Sequence, residues 1–233
     1  MVAEGPSEGL RRLAMVAAAQ PRPAAGAGVH CVRTRGWYLT SSQWLVGETL
    51  QHMDSRMQEV DRQLWRAEDG SGRLEERCDG RRSDLSGDYG PGHFDLPSLP
   101  SSASGAPARP APRGLCQLRG LVELWSTRVV PPALQAALLD ALAGQSWAVT
   151  LTAVNDRLGR DGVAVAAEEN VLGMTSRYVV VLSAATGRLL AAEEVALDQA
   201  DWLPALVPCT TSYTAFVTSA LVDSLGSRPP ADL

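Results

Sequence analysis

The run Trp147-Ala148-Val149-Thr150-Leu151-Thr152-Ala153-Val154, the turn Asn155-Asp156-Arg157-Leu158-Gly159 and the return from Arg160 to Ala167 decide the fold. The first is apolar, the second is polar with a glycine, and the third alternates through Val163 and Val165. Apolar or alternating runs of this length, divided by turn residues, predict strands joined by a hairpin. The pattern continues outward. Arg177 to Leu182 predicts a third strand, Thr186-Gly187 a turn, Arg188 to Leu197 a fourth strand and Ser212 to Val222 a fifth. Residues 147–223 therefore read as one antiparallel sheet. That fixes architecture and supplies no chemistry.

Upstream, four further sections follow one another. Residues 7–20 predict a helix with Leu10, Leu13 and Ala17 on one face, ended by Pro21 and Pro23. Residues 29–78 predict a first β section, with strands at Val29 to Thr40, Ser42 to Leu50, Met57 to Glu68 and Gly72 to Cys78. Asp69-Gly70 is its strongest hairpin signal. Residues 79–113 are rich in Gly, Ser, Pro and Asp, and predict a long, flexible loop. Residues 114–144 predict a helical pair. Leu115, Leu118, Val122 and Trp125 share a face of the first helix. Pro131-Pro132 opens the second, Leu134, Leu138 and Leu142 share its face, and Gly144 stands at its C-terminal cap. Sheet, helices and sheet in one 233-residue chain imply a single α+β domain with helices against a continuous sheet.

Bulk properties exclude several function classes. The net charge is −5 and the isoelectric point about 5.3, which argues against a nucleic-acid partner. All 21 basic residues are arginine, so Schiff-base and lysine-base catalysis are excluded. No segment approaches the roughly 18 apolar residues of a membrane span. Arg11-Arg12 and the alanine-rich stretch after it read as the short helix, not a secretion signal. Cys31, Cys78, Cys116 and Cys209 lack Cys-x-x-Cys spacing and read as isolated buried thiols. Three disulfide connectivities stay open on sequence grounds.

No catalytic, metal or cofactor constellation emerges. His30 and Cys31 are adjacent on a strand and point to opposite faces, which makes them poor ligands for one metal. His52 and His93 stand apart. The acidic pairs Glu75-Glu76, Glu168-Glu169 and Glu193-Glu194 divide between faces for the same reason, so none is a ready carboxylate dyad. The nucleophile-elbow and phosphate-loop motifs are absent. Six tryptophans stand against two phenylalanines. Core packing accounts for such residues. The alternative is a groove between sheet and helices, lined by Trp37, Trp44, Trp65, Leu118, Val122 and Trp125.

The segment Asp156-Arg157-Leu158-Gly159-Arg160-Asp161-Gly162-Val163-Ala164-Val165 resembles a D-x-x-G-R-x-G-V-A-V signature. Ala185-Thr186-Gly187-Arg188-Leu189-Leu190 resembles the turn that follows it, and Ser219 to Gly226 the final strand. With Trp65, Asp69 to Gly72 and Leu96-Pro97-Ser98-Leu99-Pro100, the chain is similar to a family of actinobacterial membrane-anchored proteins, often encoded near extracytoplasmic-function sigma factors. That resemblance implies an open antiparallel half-barrel like that of lipoprotein carriers, with helices covering its concave face. It implies an extracytoplasmic location and a non-catalytic binding or sensory role toward a lipid-like apolar ligand. An envelope protein-interaction module with a self-filled groove is the alternative, and a lyase or cyclase using the half-barrel as a chamber ranks last. The family's membrane helix is not evident in this sequence, and residues 101–112 replace its helix-capping Thr-Asp-Pro.

Overall fold

A computed structural model describes residues 6–21, 28–46, 49–94, 114–171, 174–200, 203 and 205–229. In chain order the elements are α1 (Pro6–Ala18), β1 (Val29–Val46), β2 (Thr49–Arg66), β3 (Gly72–Cys78), β4 (Arg81–Arg82) and β5 (Gly87–Tyr89). They continue with α2 (Gly114–Thr127), α3 (Pro132–Ala143), β6 (Val149–Asn155), β7 (Asp161–Val171), β8 (Met174–Ser183), β9 (Leu189–Ala196) and β10 (Cys209–Val222). The described strands form one open antiparallel sheet in the order β4-β3-β2-β1-β10-β9-β8-β7-β6, with β5 on β3. Each half is a meander of neighbouring hairpins. The first and last long strands join them, with Val29 opposite Val222 and Tyr38 opposite Ser212. The edge strand β6 carries a bulge between Leu151 and Val154, where Ala153 takes a φ of 57°. A bulge of this kind disturbs the flat, unpaired edge that would otherwise template pairing with another chain.

Three expectations need correction. The strand breaks expected near Ser41 and between Leu50 and Met57 do not exist: β1 and β2 each run 18 residues. Past Tyr38, β10 no longer accompanies β1, and β3 reaches β2 only from Val60 onward. Beyond those points the two strands pair only with each other among the described residues. The polar residues read as breaks lie on this ribbon, where neither face needs to be apolar. Second, residues 79–94 are not loop throughout. Arg81 and Arg82 pair with Cys78 and Arg77, and Gly87 to Tyr89 pair with Leu74 to Gly72. Backbone pairing overrides the turn-rich composition there, and residues 95–113 lie outside the described set. Third, α3 buries Gln135, Leu139, Leu142 and Ala143, while Leu134 and Leu138 are only partly covered. Gly144 caps α3 in a right-handed conformation, φ −81°, so its freedom from a side chain is not what the cap requires.

The largest buried cluster joins all three helices to one face of the sheet. Leu10, Leu13 and Ala17 of α1, Leu115, Leu118 and Trp125 of α2, and Leu139 and Leu142 of α3 meet Val32, Val165, Val180, Leu182 and Phe216. The strand residues alternate as a half-buried sheet requires. On the other face, Ala164, Val181, Ala191, Tyr213 and Ala215 form a smaller cluster.

Two turns fasten this arrangement and account for the sequence motifs. In the β6–β7 turn, Asp156 Oδ1 accepts the backbone N–H groups of Leu158 and Arg160, each at 2.9 Å. Its Oδ2 accepts Arg160 Nε at 2.8 Å and also Arg160 Nη2. The same guanidinium donates to the carbonyls of Phe216 and Leu190, both at 2.7 Å, so it ties the turn to β10 and β9. Gly159 completes the turn with φ 79°, a conformation that side chains with a Cβ adopt at a cost. In the β8–β9 turn, buried Gln135 donates Nε2–H to the Thr186 carbonyl at 2.8 Å. Gly187, φ 70°, sits where a Cβ would lie 3.0 Å from both Ala17 Cβ and Gln135 Nε2. At this turn α1 and α3 both approach the β8–β9 end of the sheet.

Candidate functional site

A cleft of about 610 Å³ opens between α2 and the sheet face that α2 covers. That volume lies in the range of small-molecule sites, roughly 300–1,000 Å³. Its apolar lining comes from Leu39 and Val60 of the β1–β2 hairpin, Val122 of α2 and Met174 of β8. Its polar lining comes from Thr34, Thr211, Ser212 and Thr214 of β1 and β10, with Arg119 and Ser126 of α2. Arg119 Nη2 donates to both carboxylate oxygens of Glu194, at 2.8 and 2.9 Å. Its guanidinium lies 5.7 Å from the centre of the Tyr178 ring. Burial, above all, pushes the Tyr178 hydroxyl up to about 12, with Glu194 adding to the rise and Arg119 opposing it. Tyr178 therefore stays a protonated donor at neutral pH. Tyr38 Oη and Thr214 Oγ1 share a hydrogen bond of 2.8 Å at the mouth. Arg62 also lines the cleft, and its Nε is buried with no hydrogen-bond partner.

The groove candidates do not converge here. Val122 lines the cleft, and Leu118 (0% exposed) and Trp125 (5%) lie in the main core beneath α2. Trp65 and Trp37 belong to the opposite face. Trp65 pairs with Cys31, packs on Val29 and Val222, and donates Nε1–H to the Ser227 carbonyl at 2.8 Å. Trp37 packs beside Tyr213, ring centres 6.3 Å apart, with the Arg157 guanidinium 5.3 Å from each ring. Trp44 has its backbone on β1, and its side chain lies outside the described residues, as does Trp202. The reason for the separation is strand parity. Val32 and Leu64 point to the helices, so their neighbours Cys31 and Trp65 cannot.

The same parity parts Glu193 from Glu194. Glu193 holds Arg157 on one face, with Nε and Nη2 both at 3.0 Å, while Glu194 holds Arg119 on the other. A second recess of about 450 Å³ lies beside the Trp37–Arg157–Tyr213 stack and includes Arg35 and Asp61. Asp61 is held below the usual carboxylate range chiefly by its hydrogen bond from Arg33, with Arg35 adding to it.

All four cysteines are free. Cys31 is buried, accepts a hydrogen bond from Gln63 Nε2 at 3.3 Å, and has its thiol pushed up by burial. The other three depart from the expected burial: Cys78 and Cys209 are half-buried, and Cys116 is exposed because α2 buries the faces of Leu115, Leu118 and Trp125 instead. Among the described residues, no group of three or more His, Cys, Asp or Glu side chains is placed to hold a metal ion. Among them, too, no helix is long and apolar enough to cross a membrane.

Arg119, Glu194, Tyr178 and the hydroxyls of β10 are the cleft residues that sequence reasoning missed. The available signal was the hydroxyl-rich run Cys209-Thr210-Thr211-Ser212 with Thr214, in a strand that belongs to the centre of the sheet. The pairing of Arg119 with Glu194 spans 75 positions and has no local signature. Compared with known proteins, the sequence matches no family model and no curated protein.

Proposed function

We propose that this chain is a non-catalytic binding or sensory module of the extracytoplasmic type. In this reading the open sheet acts as a half-barrel, and α2 is a cover on its concave face. The cleft beneath that cover takes a lipid-like ligand. The observation that carries the reading is the mixed lining: Leu39, Val60, Val122 and Met174 together with Arg119, Tyr178, Ser212 and Thr214. Such a lining suits an amphiphile, with its chain against the apolar residues and its polar end at the Arg119–Glu194 pair. The resemblance to half-barrel domains supports the same role.

A second reading has an observation in its favour. Leu118 and Trp125 of α2 already fill the sheet face they cover. This is what a self-filled envelope interaction module would need, and it would leave the cleft as a surface feature. Titration of an environment-sensitive naphthalene dye, followed by displacement with medium-chain fatty acids, separates the two. Binding should weaken at least tenfold in Val122→Trp and stay unchanged in Trp37→Ala, which alters the opposite face. No dye or fatty-acid binding, or equal binding in both variants, would overturn the ligand reading.

A further inference from the structure

Away from the cleft, two arginines are held together without an acidic partner. Arg66 stands directly opposite His30 in the β1–β2 register, on the same face. It is 7% exposed, and its Nε donates to the Phe94 carbonyl at 2.8 Å. His30 Nδ1 accepts the Val129 N–H at 3.1 Å, which brings Arg128, one residue earlier, to the same place at the α2–α3 junction. Arg128 Nε is buried with no hydrogen-bond partner. Among the described residues, neither guanidinium forms an ion pair with a carboxylate. Leu64, fully buried on the same strand face, separates this group from Arg62 and the cleft.

We propose that Arg66, Arg128 and His30 form a binding site for a phosphate-type oxyanion, distinct from the cleft. Two like charges withdrawn from water repel more strongly than at the surface, and each needs its donors satisfied. One oxyanion answers both demands, because planar guanidinium donors match phosphate oxygens in pairs. The third donor follows from the tautomer. His30 Nδ1 accepts the Val129 N–H, so the proton of the neutral ring sits on Nε2 and remains available. Arg128 is only partly buried, which leaves a path from solvent. Burial first, then the charges of Arg66 and Arg128, lowers His30 to about 4, which keeps the ring in that neutral form at pH 7.

The test uses the full chain at pH 7.5 with inorganic phosphate against chloride at matched ionic strength. Phosphate should raise the melting temperature in a saturable way, as a ligand of the folded state does. Arg128→Gln and Arg128→Met should abolish that rise while folding at least as well as the parent in chloride, since each removes the like-charge contact. The imidazole resonances of His30 should titrate at higher pH in phosphate than in chloride, because the anion offsets both guanidinium charges. Glycerol 3-phosphate distinguishes the source. Affinity equal to that of inorganic phosphate assigns the free ion, and tighter binding assigns a phosphate ester. A melting temperature indifferent to phosphate, an equal rise in the Arg128 variants, or an unmoved His30 titration would overturn the site.

Discussion

Replacing Asp156 tests whether the β6–β7 turn is held as the geometry says. Its carboxylate is 0% exposed and accepts four hydrogen bonds, two from turn N–H groups and two from Arg160. Removing one partner of a buried pair costs about 3–5 kcal/mol, because the other charge is left uncompensated. Arg160 is 31% exposed and keeps the Phe216 and Leu190 carbonyls, so water and backbone relieve part of that loss. Asp156→Ala should therefore cost about 3 kcal/mol. Asp156→Asn keeps an acceptor for the turn N–H groups and loses the charge, so about half that loss is expected. Urea unfolding followed by tryptophan fluorescence measures both, and the m-value should not change. In Asp156→Ala/Arg160→Ala the losses should be less than additive, since the orphaned charge has gone. Losses below about 1 kcal/mol in both single variants, or equal losses in the two, would refute the reasoning.

Three other perturbations probe the rest of the molecule. Gly187→Ala combines a positive φ with contacts of 3.0 Å to Ala17 and Gln135, so unfolding should show a loss of about 1–3 kcal/mol with dye affinity unchanged. Trp125→Ala should cost about 3–5 kcal/mol if α2 is a fixed part of the core, and less, with altered dye binding, if α2 is a movable cover. The pH dependence of stability should carry the mark of His30. Its folded value is depressed from 6.5 to about 4, so the unfolded chain binds the proton more readily. The contribution is complete above 6.5 and is lost as pH falls toward 4. His30→Gln should flatten that part of the profile, measured by urea midpoints at pH 7 and 4.5. An unchanged slope would count against the burial of the ring.

The sequence by itself determined the elements whose signals are local. The five C-terminal strands, the turns at Gly159 and Gly187, and the α1 face of Leu10, Leu13 and Ala17 follow from period, turn chemistry and amphipathicity within a few residues. Those signals also placed Leu118 and Trp125 on the buried face of α2. Tertiary structure alone decided what depends on distant partners. The pairing of β1 with β10 makes one sheet of two meanders, and no local pattern specifies which strand lies beside which. Strand parity, set by that pairing, sent Trp37 and Trp65 away from the helices, although in sequence they look like the same kind of groove candidate as Trp125. The cleft brings Arg119 together with Glu194 and Tyr178, residues far apart in the sequence. The basic group at Arg66 exists because Val129 reaches His30 from 99 residues away. Secondary structure is written in neighbouring residues, whereas a binding surface is assembled by packing.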